Sequence, residues 1–385
     1  MPAPRVLFVS KPIVPPFHDG TKCLVRDVSV NLKRVAPVVM SMPGAPALGG
    51  ERGVELAPVY ANAGNFRPRA GDNARAATWL AVRSRADLWH FVFAPNAKSS
   101  AMGRALSRLR RVKVVQTIAS PPKSFDGVPR LLFGDVVVAQ SRHTRDAVLA
   151  AYEAGGSAAP RLEVIPPPVA PQRVRRADAR MQLRAELGIE PGAPIFVYPG
   201  DLEVSGGARA VAGAVAEIER TVPGAVVVFA YRAKTPRAKR IATDLENELS
   251  GRSVRFSCEL PDVLVLISDA AAVLFPVDDL WGKVDLPIVL LEAMDLGVPV
   301  IALNEGPLRD LDAVELIDDA SAASLVQAVQ RVSQSEYRQT VIARQRAAVE
   351  TRHRAAVVAE RYEQLYLQLL GHALPRSSDV PDQSA

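Results

Sequence analysis

Apolar residues along this chain come mostly in short unbroken runs rather than in strict alternation with polar ones. Residues 5–9, 38–41, 88–93, 113–117 and 135–139 form such runs in the first half, and 194–198, 225–231, 254–257, 272–275 and 299–303 in the second. A short apolar run bounded by polar loops fits a strand covered on both faces, and helical stretches such as 97–111 between the runs make the sheets parallel. Two series of this kind predict two α/β sheets of one class. No stretch repeats at a fixed period, so a solenoid or a propeller is not expected.

Between the two series stands Val164-Ile165-Pro166-Pro167-Pro168. Consecutive prolines donate no ladder hydrogen bonds and favour an extended connector. The organisation expected is an N-terminal domain over 1–168, a linker with a short helix over 169–190, a C-terminal domain over 191–346, a terminal helix over 347–371 and a disordered polar tail over 372–385. A length of 385 residues suits two domains.

Composition narrows the function. With 48% apolar and 23% charged residues the chain is globular in character, and 47 Lys+Arg against 41 Asp+Glu give a net charge of +6 that suits anionic ligands. Nucleic acid is not expected: aromatic residues are 5% of the chain, and no zinc, helix-turn-helix or RNP-like pattern occurs. The two cysteines, Cys23 and Cys258, give no disulfide or zinc framework, and the N-terminus runs into a strand with no secretory signal pattern. No apolar run reaches the ~18–20 residues of a membrane span. A cytoplasmic protein is the expectation, with peripheral contact to an anionic membrane through the helical face of Arg104, Arg108 and Arg111; a solvated face is the alternative.

The most informative segment follows the run 272–275: a polar loop to Asp285, then Leu286-Pro287, an apolar helical stretch containing Glu292, and Gly297 before the next strand. A proline near a helix start replaces an amide that would lack a helical partner anyway, and the exposed amides of the first turn suit a diphosphate. Asp285 and Glu292, seven residues apart, are expected on one helix face, toward a ligand. Glu292, set among Leu290, Leu291, Ala293 and Met294, needs a polar partner. Ribose hydroxyls would supply one, and a basic side chain is the alternative; Asp285 can equally serve as a helix cap.

This segment, together with Asp87-Leu88-Trp89-His90, Ala139-Gln140-Ser141-Arg142-His143-Thr144, the Val164-Ile165-Pro166 connector, Tyr198-Pro199-Gly200-Asp201-Leu202 and Leu291-Glu292-Ala293-Met294, resembles glycosyltransferase family four, the large retaining group of GT-B fold. The resemblance implies two doubly wound Rossmann-like domains facing across a cleft, with the terminal helix returning toward the N-terminal domain. It implies a glycosyltransferase that moves a sugar from a UDP- or GDP-linked donor to a glycan, lipid or small-molecule acceptor with retention. Separately, no His/Cys cluster suggests zinc, and no metal cofactor is expected. Glu292 would hold the ribose, with Leu286 and Pro287 beside the donor at the helix start and Gly200 near its phosphates. Gly20 and Thr21, in Asp19-Gly20-Thr21-Lys22, would approach the phosphates from the N-terminal domain.

Several positions depart from the family pattern. The family's first glutamate falls on Val284, so that Asp285 is the candidate catalytic substitute and Lys283 a phosphate contact. Its basic pair falls on Asp201 and Gly206, leaving Arg232 and Lys234 as replacements. Its histidine falls on Ala119, leaving His90 as the candidate catalytic histidine or else a packed one. These departures motivate a second reading, a non-catalytic relative that binds nucleotide or glycan as a subunit or scaffold. The Asp310-Leu311-Asp312 spacing is taken as chance rather than as a metal pair.

Overall fold

The computed structural model describes residues 2–17, 19–62, 68–233, 235–280 and 284–372. The chain divides into two compact units: one of residues 1–140, 145–168 and 355–385, the other of 141–144 and 169–354. Each holds one parallel sheet. Among the described residues no helix is long and apolar enough to cross a membrane.

The first sheet has seven strands: β1 (Arg5–Val9), β2 (Ala36–Ser41), β3 (Glu55–Pro58), β4 (Leu88–Phe93), β5 (Lys113–Ile118), β6 (Val136–Ala139) and β7 (Arg161–Val164), in the order β3-β2-β1-β4-β5-β6-β7. Successive side chains of a strand point to opposite faces, and here both faces are covered. Val6 and Phe8 of β1 enter a core with Leu24, Val28, Tyr362 and Tyr366, whereas Leu7 and Val9 enter another with Met40, Trp89 and Leu80. This is why β1 reads as an apolar run and not as an alternation.

One covering layer is the last helix, Ala355–Leu369. Its Glu363, buried, accepts from the amides of Lys33 and Arg34 and from Arg34 Nε at 2.8 Å, securing the turn after the helix Gly20–Asn31. The helix expected over 347–371 begins only at Ala355, because the chain ends an earlier helix at Ala348, makes a π turn over Val349–His353 and turns extended at Arg354. Of the tail expected from 372, only His372 is among the described residues.

The second sheet has six strands: β8 (Ile195–Tyr198), β9 (Val226–Tyr231), β10 (Val254–Cys258), β11 (Ala272–Phe275), β12 (Val300–Leu303) and β13 (Glu315–Ile317), in the order β10-β9-β8-β11-β12-β13. Its core includes Tyr198, Phe229 and Phe275, with Leu290, Leu291 and Met294 from the helix Ile288–Leu296. That helix stops at Gly297, whose φ of 77° is the left-handed conformation glycine adopts without a Cβ penalty.

Candidate functional site

In an open parallel sheet the ligand crevice lies beyond the carboxyl ends of the two central strands from which the chain winds in opposite directions. In the second unit those strands are β8 and β11. Beyond β8 run Gly200, Asp201 and Gly206 into the helix Gly207–Thr221; beyond β11 run Asp278, Asp285, Leu286 and Pro287 into the helix Ile288–Leu296. Most of the candidate residues of the C-terminal half thus gather at one end of one sheet.

Gly200 and Gly207 are set by close approach. A Cβ on Gly200 would fall 2.5 Å from the buried Tyr198 ring, and one on Gly207 would fall 3.0 Å from Val277 Cγ2. Tyr198 donates to the Asp201 carbonyl at 2.8 Å, and the Asp201 carboxylate accepts from the Val204 amide at 3.0 Å. Burial, with Asp201 and Asp278 nearby, pushes the Tyr198 phenol well above its ordinary range. The Gly206 amide donates to Asp278 Oδ1 at 2.8 Å. No local pattern pointed to Asp278, an exposed loop aspartate. The start of the Gly207–Thr221 helix therefore carries Asp201 and Asp278 nearby, where the resemblance led us to look for arginine and lysine.

The second helix start is open in a different way. Pro287 is its cap residue, with no amide of its own and no side-chain capping bond, and Leu286 and Pro287 are both buried. Glu292 lies on this helix, half-buried, and has an interaction partner within the protein. Asp285 is not on the helix, which begins at Ile288, so the expected helical register between Asp285 and Glu292 does not exist.

Asp285 is instead buried, and both its oxygens are bonded: Ser141 Oγ donates to Oδ2 at 2.8 Å and Thr144 Oγ1 to Oδ1 at 2.9 Å. Ser141 also accepts from the Thr144 amide at 3.0 Å, capping the helix Arg142–Ala154. The first turn of that helix groups with the second unit. Next to this cap, the Arg142 amide and Nε donate to Asp310 at 2.6 and 3.1 Å. Two carboxylates at a helix start suit its partial positive charge. The arrangement makes Asp285 a residue that fixes its loop. No face of its carboxylate is exposed. Asp312, for its part, pairs with Arg352 at 2.6 Å. Among the described residues no three His, Cys, Asp or Glu side chains gather as metal ligands.

His90 is the other candidate catalytic residue. It is fully buried, with Nε2 2.7 Å from Thr117 Oγ1 and Nδ1 2.7 Å from Tyr366 Oη, and Thr117 in turn lies 3.1 Å from Tyr362 Oη. A neutral imidazole satisfies both neighbours, accepting from one hydroxyl and donating to the other. Burial lowers its pKa to about 3. No ring nitrogen is left for a substrate proton.

At Gly20 and Thr21 the helix start is already occupied. The Asp19 carboxylate accepts from the amides of Thr21 and Lys22 at 3.0 and 3.2 Å and from Lys11 Nζ at 2.6 Å. Burial pushes the Asp19 pKa up, but the Lys11 charge and these bonds outweigh it and hold the carboxyl below its ordinary value. Asp19 itself accepts from both amides. Arg232 follows β9 and is exposed, with a partner of its own. Lys234 and Lys283 lie outside the described residues.

Residues 179–353 match the family described as glycosyl transferases group 1, and they contain both helix starts at the β8–β11 switch. The chain also aligns over 94–97% of its length with solved structures. The fold is GT-B. Similar GT-B structures include the HepE protein of Anabaena in complex with UDP-glucose, at TM-score 0.69 and 15% identity over 94% of this chain and 99% of that one. Sucrose-phosphate synthase of Thermosynechococcus elongatus aligns at TM-score 0.70 and 19% identity, over 96% of this chain and 100% of that one. The α,α-trehalose 6-phosphate synthase of Burkholderia multivorans aligns at 0.67 and 14%, over 96% and 98%. No curated protein matches the chain in sequence. At these identities the GT-B likeness speaks for the fold.

Proposed function

We propose that the protein is a glycosyltransferase that moves a sugar from a UDP- or GDP-linked donor to a glycan, lipid or small-molecule acceptor. The observation that carries this reading is the match of residues 179–353 to the group 1 glycosyltransferases over the part of the chain where two helix starts and Glu292 meet at the strand switch. UDP-glucose in the HepE complex supports a uridine donor. Glu292 takes the ribose hydroxyls; the amides at the start of the Ile288–Leu296 helix, with Arg232, Lys234 or Lys283, take the diphosphate. In the retaining form of the reaction, the acceptor oxygen bonds the anomeric carbon as the bond to the diphosphate oxygen breaks. The leaving diphosphate accepts the acceptor's proton, so a histidine base is not required and stabilising the leaving charge is the main task.

A second reading has its own support. Asp201 and Asp278 at the Gly207–Thr221 helix oppose a diphosphate, and His90 is sealed; both fit a GT-B relative that binds nucleotide or glycan without transfer. Calorimetry with UDP, GDP and their sugars, followed by assays of donor hydrolysis and transfer, separates the two. Glu292→Gln is expected to weaken nucleotide binding by about 1–3 kcal/mol, the scale of a charge-assisted hydrogen bond. Unchanged affinity removes Glu292 from the site, and nucleotide binding without transfer to any acceptor favours the second reading.

A further inference from the structure

Two neighbouring loops of the first unit place charge and apolar surface together. The helix Ala70–Val82 leads through residues 83–87 into β4, and the helix Ala97–Arg110 leads through 111–112 into β5. Strands β4 and β5 are paired, so these loops emerge side by side at the amino edge of the sheet. Arg110 fastens them: its Nη1 donates to the Ala81 carbonyl at 3.2 Å and its Nη2 to the Ser84 carbonyl at 2.8 Å. Around that tie Val82 is 70% and Leu109 71% exposed.

Arg83, Arg85, Arg108 and Arg111 lie within three residues of Val82 or Leu109 along the chain, are exposed, and have no side-chain hydrogen bond or ion pair among the described residues. The neighbouring acids are engaged elsewhere: Asp87 accepts from the Arg5 amide at 2.7 Å, and Asp135 from the Val114 amide at 2.7 Å and from Lys113. Arg111 also holds the helix cap at a φ of 52°, a left-handed position where glycine is the ordinary residue. Arg104, expected on a basic face with Arg108 and Arg111, is not part of this surface. Its guanidinium donates to the carbonyls of Arg130 and Leu132 at 2.8 and 3.1 Å.

We propose that this patch, Val82 and Leu109 with Arg83, Arg85, Arg108 and Arg111 on the same two loops, docks the protein on an anionic phospholipid surface. Four unpartnered guanidiniums match anionic headgroups, and two apolar side chains standing out beside them enter the headgroup–acyl boundary, a combination that neither a solvated face nor a purely polyanionic partner calls for. Because the patch is at the amino edge of its sheet, it lies opposite the carboxyl edge of that sheet, where ligands of such sheets bind. Docking is therefore independent of sugar transfer and can be tested without donor or acceptor.

The test is flotation of the full chain with phosphatidylcholine vesicles, with and without phosphatidylserine, across a salt series. Each arginine near such a surface contributes about fivefold in affinity. The triple variant Arg83→Ser, Arg85→Ser, Arg108→Ser should therefore bind phosphatidylserine vesicles roughly a hundredfold more weakly, with the melting temperature kept. Val82→Asp with Leu109→Asp should also lose binding. Arg237→Ser, Lys239→Ser, Arg240→Ser, which removes the same charge from exposed positions in the second unit, should not. The proposal is overturned if the wild type ignores phosphatidylserine at low salt, if it binds phosphatidylcholine equally well, if the two triple variants lose affinity alike, or if heparin binds while vesicles do not.

Discussion

Replacing His90 by glutamine tests the account of the histidine through pH. In the folded chain burial holds its pKa at about 3, against an ordinary 6.5. The unfolded chain therefore binds a proton below about pH 6.5 that the folded one does not, and stability falls as pH drops from 6.5 toward 3. At pH 5 the difference amounts to about 2 kcal/mol, from 1.36 kcal/mol per pKa unit over about one and a half units. Above pH 7 the term vanishes. Glutamine keeps a group near Thr117 but loses the bond to Tyr366, so the variant should be less stable at pH 7.5 by about 1–3 kcal/mol. Its deficit against the wild type should then shrink by about 2 kcal/mol at pH 5, since glutamine takes up no proton. Urea unfolding at the two pH values, followed by fluorescence, measures both quantities; Trp89 adjoins His90 in β4. Parallel pH dependences for wild type and variant would refute the buried neutral imidazole and return His90 to the list of titrating, solvent-reachable groups.

Asp285→Ala strands the hydroxyls of Ser141 and Thr144 in a buried place and should cost about 2–4 kcal/mol, whereas Asp285→Asn, which keeps an acceptor and a donor, should cost about half as much or less. Equal melting temperatures for wild type and the alanine variant would show that the loop does not depend on this carboxylate. Gly200→Ala brings a methyl against Tyr198 at 2.5 Å and should destabilise the protein by about 1–3 kcal/mol; nucleotide affinity, read by calorimetry on the folded fraction, should fall with it if the loop after β8 lines the donor site. A variant as stable as the wild type would mean that the loop yields at no cost.

The fold was legible where strands are covered on both faces, since such strands are apolar throughout. Ten runs in the sequence fall on strands, among them the central β1, β4, β8 and β11. The strands that escaped notice are β3, β7 and β13, all at sheet edges. An edge strand has one neighbour and tolerates polar side chains, and these carry Glu55, Arg161 and Glu163, and Glu315. Glu315 is buried yet bonded to Arg331 and, at 2.6 Å, to Tyr337, a partnership that no local pattern announces.

Reading the site required a different kind of information, because sequence gives residue types near a strand end without saying which polar atoms are already bonded. Asp285, His90 and Asp19 have the chemistry of a site, yet each is satisfied by partners distant in the chain or by its own turn: Asp285 by Ser141 and Thr144, His90 by Thr117 and Tyr366, Asp19 by Lys11 and two amides. Buried polar groups without a ligand must find such partners inside the protein. Under the proposed reading, the residues that meet a ligand are those at the β8–β11 switch. They include the start of the Ile288–Leu296 helix, which has no side-chain cap, and the half-buried Glu292 on it. Asp278 shows the converse. Nothing in its local sequence marks it, yet by meeting the Gly206 amide it puts a negative charge at a helix start where, under the proposed reading, a donor diphosphate calls for positive, so the charge at Gly206 is the feature on which the transferring and the binding readings differ.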